Sequence, residues 1–158
     1  MKSHLSGLPS RFCIGAGVGH GETELLAFDR ALASAGFSDY NLVKVSSIIP
    51  PRATILDEPD LPLGSLLPIA YASLVSEDEG LVISAAVAAG LPISSEDVGV
   101  IMEFSGPVAL AEAEAQVRFM AEKALVSRGI GVREILVRGA SARVHGITAV
   151  FAGVALLP

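Results

Sequence analysis

The stretch Arg11-Phe12-Cys13-Ile14-Gly15-Ala16-Gly17-Val18-Gly19-His20-Gly21, followed by Glu22-Thr23-Glu24, decides between two fold classes. A short strand over 11–14 that runs into glycines and then a helix is the order in which doubly wound α/β proteins bind a dinucleotide pyrophosphate. The spacing fails that test. With Gly15 and Gly17 as the first two glycines of Gly-x-Gly-x-x-Gly, the third position is His20; with Gly17 and Gly19 it is Glu22, whose charge would repel a pyrophosphate. The glycines are therefore expected to make a turn or a close backbone approach. A nucleotide-binding module is disfavoured.

Outward from this stretch the pattern stays mixed. Thr23 is the expected N-cap of a helix whose apolar face is Leu25, Phe28, Leu32 and Ala35, with Gly36 as the stop. Residues 41–49 read as one β-branched strand ending at Pro50-Pro51, and 51–68 as an irregular loop with short extended pieces. Strands are expected over 69–75, 81–88 and 98–104, the first two joined by the acidic turn Ser76-Glu77-Asp78-Glu79-Gly80. A second helix spans 108–128, with Leu110, Ala113, Val117, Met120, Ala121, Ala124 and Leu125 on its apolar face. Closing strands fall at 133–137, 142–144 and 147–155. Two helices far apart among many strands, without regular βαβ alternation, define an α+β protein with largely antiparallel or mixed sheets.

Composition narrows the function. The chain has 158 residues, 51% hydrophobic and only 18% charged, with a net charge of −6. So apolar a chain is not disordered, and its acidic balance argues against nucleic-acid or anionic-membrane binding. Its length fits a single domain over 1–158, and such sparse charge points to surface covered by other subunits. The apolar stretches 81–93 and 147–158 are too short to span a membrane. Met1-Lys2-Ser3-His4-Leu5 lacks the apolar run of a signal peptide, and the one cysteine, Cys13, is expected as a buried small hydrophobe. A cytoplasmic protein is the expectation. His4, His20 and His145 are too dispersed for a metal site, so no metal is expected, and no Gly-x-Ser-x-Gly elbow marks a serine hydrolase.

The segment Asn41-Leu42-Val43-Lys44-Val45-Ser46-Ser47-Ile48-Ile49-Pro50-Pro51 carries a different chemistry. By composition Ser46-Ser47 is an ordinary polar pair before a turn. A hydroxyl held against the preceding carbonyl can nevertheless attack it and convert the amide into an ester, with a nearby donor such as Asn41 stabilising the oxyanion. β-Elimination from that ester cuts the chain and leaves a dehydroalanine that hydrolyses to a pyruvoyl group.

Here the sequence resembles the pyruvoyl-dependent arginine decarboxylase family. The likeness is carried by Gly21-Glu22-Thr23 with Ala27-Phe28-Asp29 and Ala31-Leu32, by Asn41 through Pro51, and by Leu61-Pro62-Leu63-Gly64 with Pro68, Ala70 and Tyr71. Ile83-Ser84-Ala85-Ala86 and Gly99-Val100-Ile101-Met102-Glu103-Phe104 with Gly106 extend it. The resemblance implies an α-β-β-α sandwich and cleavage between Ser46 and Ser47 into 1–46 and 47–158. It implies a pyruvoyl group made from Ser47 in place of pyridoxal phosphate, which forms a Schiff base with L-arginine on the way to agmatine and CO2. Glu103 matches the catalytic acid, Asp29 the partner of the substrate guanidinium, and Asn41 and Ser46 positions around the cleavage and substrate sites. The family assembles as trimers with active sites between subunits. The same chemistry on another amino acid, or a trimeric scaffold that never cleaves, are the alternatives.

Overall fold

A computed structural model describes residues 7–158, so His4 and the N-terminal residues weighed for a targeting signal lie outside the described residues. Four layers stack in the order helix, sheet, sheet, helix. The first sheet contains β1 (Arg11–Gly21), β2 (Asn41–Lys44), β4 (Thr54–Ile55), β5 (Leu66–Ser76) and β9 (Ile147–Leu157), in the order β2-β5-β9-β1-β4. The second contains β3 (Ile48–Ile49), β6 (Val82–Pro92), β7 (Gly99–Gly106) and β8 (Val132–Arg143), in the order β3-β7-β6-β8. Helix α1 (Glu24–Ala35) covers the outer face of the first sheet and α2 (Leu110–Ser127) that of the second. The first sheet is mixed, since β2 runs parallel to β5 and β1 to β4; the second is antiparallel throughout. Three apolar layers fill the gaps: one between α1 and the first sheet, one between the sheets, one under α2.

The glycine-rich run is strand, not turn. β1 continues through Gly21 and pairs with β9 along its whole length. Its even positions, Phe12, Ile14, Ala16 and Val18, face the second sheet, while Gly15, Gly17, Gly19 and Gly21 lie beneath α1. A Cβ at Gly19 would overlap the Ala27 carbonyl oxygen and the Ala31 amide, and one at Gly17 the Ala31 carbonyl and the Ala35 amide. Alternation with period two on the strand thus meets alanines at period four on the helix, and the two backbones touch. This also corrects the expected helix face: Ala27, Ala31 and Leu32 are buried, whereas Leu25 is 75% exposed. Thr23 caps the helix through its hydroxyl, which accepts from the Leu26 amide at 3.1 Å, and Gly36 ends it with φ +92°. We expect Gly19→Ala to cost about 2–3 kcal/mol, roughly a 5–10 °C fall in Tm by calorimetry, because backbone rather than a flexible side chain must move.

Other boundaries shift for identifiable reasons. The expected strands over 133–137 and 142–144 are one strand, β8, carried through Gly139 by its ladder to β6. Residues 41–49 are not one strand: the chain leaves the first sheet after Lys44 and joins the second at Ile48. On α2, Ala113, Val117, Ala121 and Leu125 are buried as the periodicity requires.

Candidate active site

The crossing at 45–47 lies between two sheet edges. β2 is the edge strand of the first sheet and β3 that of the second, so Val45-Ser46-Ser47 closes the open side of the sandwich. Its ends are tied: the Val45 amide donates to the Ile69 carbonyl at 3.1 Å, and the Ile101 amide donates to the Ser47 carbonyl at 2.7 Å. Between those ties the Ser46 carbonyl accepts no backbone hydrogen bond among the described residues. The antiparallel register of β3 on β7, with Ile48 opposite Val100 and Ile49 opposite Gly99, lays the crossing beside the next residues of β7.

Those residues include Glu103. On β7, Val100, Met102 and Phe104 face α2, while Ile101 packs between the sheets and Ser105 donates across that gap to the Ser73 carbonyl of β5 at 3.1 Å. Glu103 stands between Ile101 and Ser105 on the same face, about 7 Å along the strand from the residue that holds Ser47. It is half-buried, and its Oε2 is buried with no hydrogen-bond partner. An ionised oxygen in such a place is badly solvated, so burial raises the Glu103 carboxyl above its ordinary range, with the positive charge of Lys44 acting in the opposite direction. The pair is a carboxyl whose protonated form is favoured by burial, beside a serine–serine peptide.

The remaining residues singled out from sequence lie elsewhere on the subunit. Asn41 opens β2, about 16 Å from Ser46 along an extended chain. Its side-chain amide donates to the Gly64 carbonyl at 2.8 Å and its backbone amide to the Ser65 carbonyl at 2.9 Å. It thereby holds the Pro62–Ser65 turn, which needs Gly64 at φ +84°. Asp29 is exposed on α1, with the first sheet between it and the layer that contains Glu103. One subunit therefore brings together Ser46, Ser47 and Glu103, and leaves Asp29 and Asn41 outside that cluster.

Cys13 is buried, and burial pushes its thiol up to about 12, which fits a core residue and not a nucleophile. His20 and His145 are both tied to Thr148 at the far ends of β1 and β9. No group of three or more His, Cys, Asp or Glu side chains with metal-binding geometry occurs among the described residues.

Lys44, two residues before Ser46, reaches the apolar layer under α1, a contact that sequence reasoning did not foresee. Lys44 Nζ rests 4.7 Å from the centre of the Tyr71 ring, which packs in turn against Phe151 and Phe28. The contact depends on the pairing of β2 with β5, which no local pattern announces.

A double sheet covered by one helix on each side, with a serine pair at the sheet crossing and an unpaired buried carboxyl beside it, has the features of a self-processing pyruvoyl enzyme. A solved structure of a pyruvoyl-dependent histidine decarboxylase at pH 8 shares the fold, with a TM-score of 0.50 at 14% identity over 65% of this chain and 54% of that one. Residues 11–151 match the family described as pyruvoyl-dependent arginine decarboxylase (PvlArgDC), and the chain belongs to that family. Its relatives include the pyruvoyl-dependent arginine decarboxylase of Methanococcus aeolicus, 40% identical over 94% of this chain and 90% of that protein. That of Methanocaldococcus jannaschii is 43% identical over 77% and 74%, and that of Thermococcus kodakarensis 41% identical over 84% of each. No helix among the described residues is long and apolar enough to cross a membrane.

Proposed function

We propose that this chain cuts itself between Ser46 and Ser47 and then decarboxylates L-arginine to agmatine and CO2. The observation that carries the proposal is the placement of the Ser46–Ser47 peptide on the crossing between sheet edges, beside the unpaired Glu103 carboxyl. In self-cleavage the Ser47 hydroxyl attacks the Ser46 carbonyl, forming an ester as the amide C–N bond breaks. Loss of the Ser47 α-proton then expels residues 1–46 as a carboxylate. Hydrolysis of the resulting dehydroalanine releases ammonia and leaves the pyruvoyl end on 47–158.

The surroundings fit such a group. The Ser47 carbonyl stays bonded to the Ile101 amide, so the new chain end keeps its place on β7, and Glu103 offers an acid that nothing else uses. A pyruvoyl group supplies a carbonyl that binds an amino group and takes up the electron pair released with CO2. Glu103, whose protonated form is favoured by its burial, delivers a proton to the substrate α-carbon.

Asp29 suits a guanidinium, since a carboxylate accepts two parallel N–H bonds from it. With a sheet between Asp29 and the Glu103 of its own subunit, a neighbouring subunit supplies it. Asn41 reaches a site by the same route. The assembly is a trimer of cleaved protomers with active sites at the interfaces, working in the cytoplasm without nucleic-acid or membrane partners. We expect Asp29→Asn to raise the KM for arginine about 10- to 100-fold with a smaller change in kcat, as loss of a charged hydrogen-bonded partner implies. Unchanged arginine kinetics would mean that this carboxylate does not bind the guanidinium and would favour another amino acid as substrate.

Intact-mass spectrometry and assay of CO2 release test the whole proposal. Two fragments, 1–46 and 47–158, the larger with a borohydride-reducible carbonyl, are expected. A single uncut chain without activity after prolonged incubation would exclude it.

A further inference from the structure

Past the crossing at 45–47 one side of the sandwich is open. β2 pairs with β5 only as far as Ile69, and β3 with β7 only at Gly99 and Val100, with the Ile101 amide on the Ser47 carbonyl. Beyond those points β5 and β7 each have a neighbour on one side only, β9 and β6. Carbonyls two residues apart on a strand point to the same side. The Ser73 carbonyl therefore faces the same open edge as that of Ile69, which accepts from the Val45 amide.

Ser105 supplies its partner. The Ser105 hydroxyl crosses from β7 and donates to the Ser73 carbonyl at 3.1 Å. Among the described residues this is the one hydrogen bond that joins a strand of the first sheet directly to a strand of the second. Both residues are half-buried, and water can satisfy a carbonyl at such an edge, so solvation alone does not call for a serine.

Two ties frame Glu103. One is the crossing, fixed to Ile69 on β5 and to Ile101 on β7; the other is Ser105 on Ser73. They lie four residues apart on each strand, about 13 Å, and Glu103 is midway on β7. Self-cleavage makes them unequal. The cut opens the first tie, because Val45 stays with 1–46 and Ser47 with 47–158. β5 and β7 both belong to 47–158, so the second tie survives, two residues from Glu103 and its unpaired Oε2.

We propose that Ser105 is a positioning residue for the decarboxylation: bonded to the Ser73 carbonyl, it keeps the edges of β5 and β7 at a fixed separation once the chain is cut, and so holds the Glu103 carboxyl where it meets the substrate α-carbon. It acts through Glu103 and not on the substrate. Cleavage does not need it, since backbone groups alone tie the crossing. The inference rests on Glu103 acting as the acid, as proposed above.

The test compares Ser105→Ala with Ser105→Thr, which keeps the hydroxyl on a residue suited to strands. Both are expected to cleave like the wild type. In Ser105→Ala, kcat is expected to fall about tenfold or more while the KM for arginine stays within about twofold, because the acid is displaced and the substrate is not. Its solvent deuterium isotope effect on kcat is expected to rise, since proton delivery slows relative to the other steps. Ser105→Thr is expected to restore both. Peptide-resolved hydrogen exchange reads the tie without any substrate: 71–76 and 100–106 should exchange faster in Ser105→Ala than in the wild type, and not in Ser105→Thr. An unchanged kcat in Ser105→Ala, a loss that Ser105→Thr shares, a rise in KM alone, a lower kcat with an unmoved isotope effect, or unchanged exchange in both segments overturns the inference. A merely structural serine would lower Tm without the isotope effect. Glu103→Gln in the same assays separates the two failures. Full activity there removes Glu103 as the acid, whereas a slow Glu103→Gln beside a fully active Ser105→Ala overturns the role of Ser105 alone.

Discussion

Ser47→Ala is expected to remain a single chain of 16.2 kDa and to form no agmatine. Without the hydroxyl no ester forms, and without the ester there is neither cleavage nor a carbonyl at the new chain end. Ser46→Ala separates the two serines: it keeps the attacked carbonyl, loses only a spectator hydroxyl, and is expected to cleave. The wild-type fragments should appear on a denaturing gel and still elute together under native conditions. Fragment 1–46 contains β1, α1 and β2, and β1 lies between β9 and β4 of the other fragment, paired with β9 from Arg11 to Gly21. Cleavage cuts the crossing at 45–47 and leaves that ladder whole. An uncut wild-type chain, a cut Ser47→Ala chain, or fragments that separate on a native column would each contradict this account.

How far the sequence discloses this architecture depends on whether a pattern's cause lies in the pattern itself. The cap at Thr23, the left-handed stop at Gly36 and the buried Ala113, Val117, Ala121 and Leu125 of α2 are local, and they read correctly. The alternation Gly15, Gly17, Gly19, Gly21 has the period of a strand, yet glycine is also the residue of turns. Only the seating of Ala27 and Ala31 on those glycines settles which applies, and that contact joins two elements. Apolar β-forming residues stand on both sides of Ser46-Ser47, and a polar pair does not by itself mark the change of sheet after Lys44. The site shows the same division. Ser46-Ser47 stands out once a family likeness is recognised, but Ser47 meets β7 through the β3–β7 register, a pairing across more than fifty residues. The isolation of the Glu103 Oε2 depends on both sheets at once.

Glu103→Gln is expected to cleave like the wild type and to decarboxylate about 10²- to 10⁴-fold more slowly, the usual contribution of a positioned acid. The same substitution should stabilise the fold above neutral pH, and the sign follows from the burial of the carboxyl. Burial raises Glu103 above its ordinary value of 4.5. Between that value and the raised one, the folded chain keeps a proton that the unfolded chain has released, so stability falls as pH rises through this window. Below it both states are protonated and the glutamic acid costs nothing extra. Glutamine has the same shape and never ionises, so it escapes the loss. The difference in Tm between the variant and the wild type should therefore be near zero around pH 4 and grow in the variant's favour towards pH 8. A Glu103→Gln chain that is less stable than the wild type at the alkaline end would mean that the carboxylate finds a partner on folding, and it would remove Glu103 as the acid. If the stabilisation appears together with the loss of activity, both have one cause: an unpartnered oxygen between two sheets, which weakens the fold and keeps a proton ready for the substrate carbon.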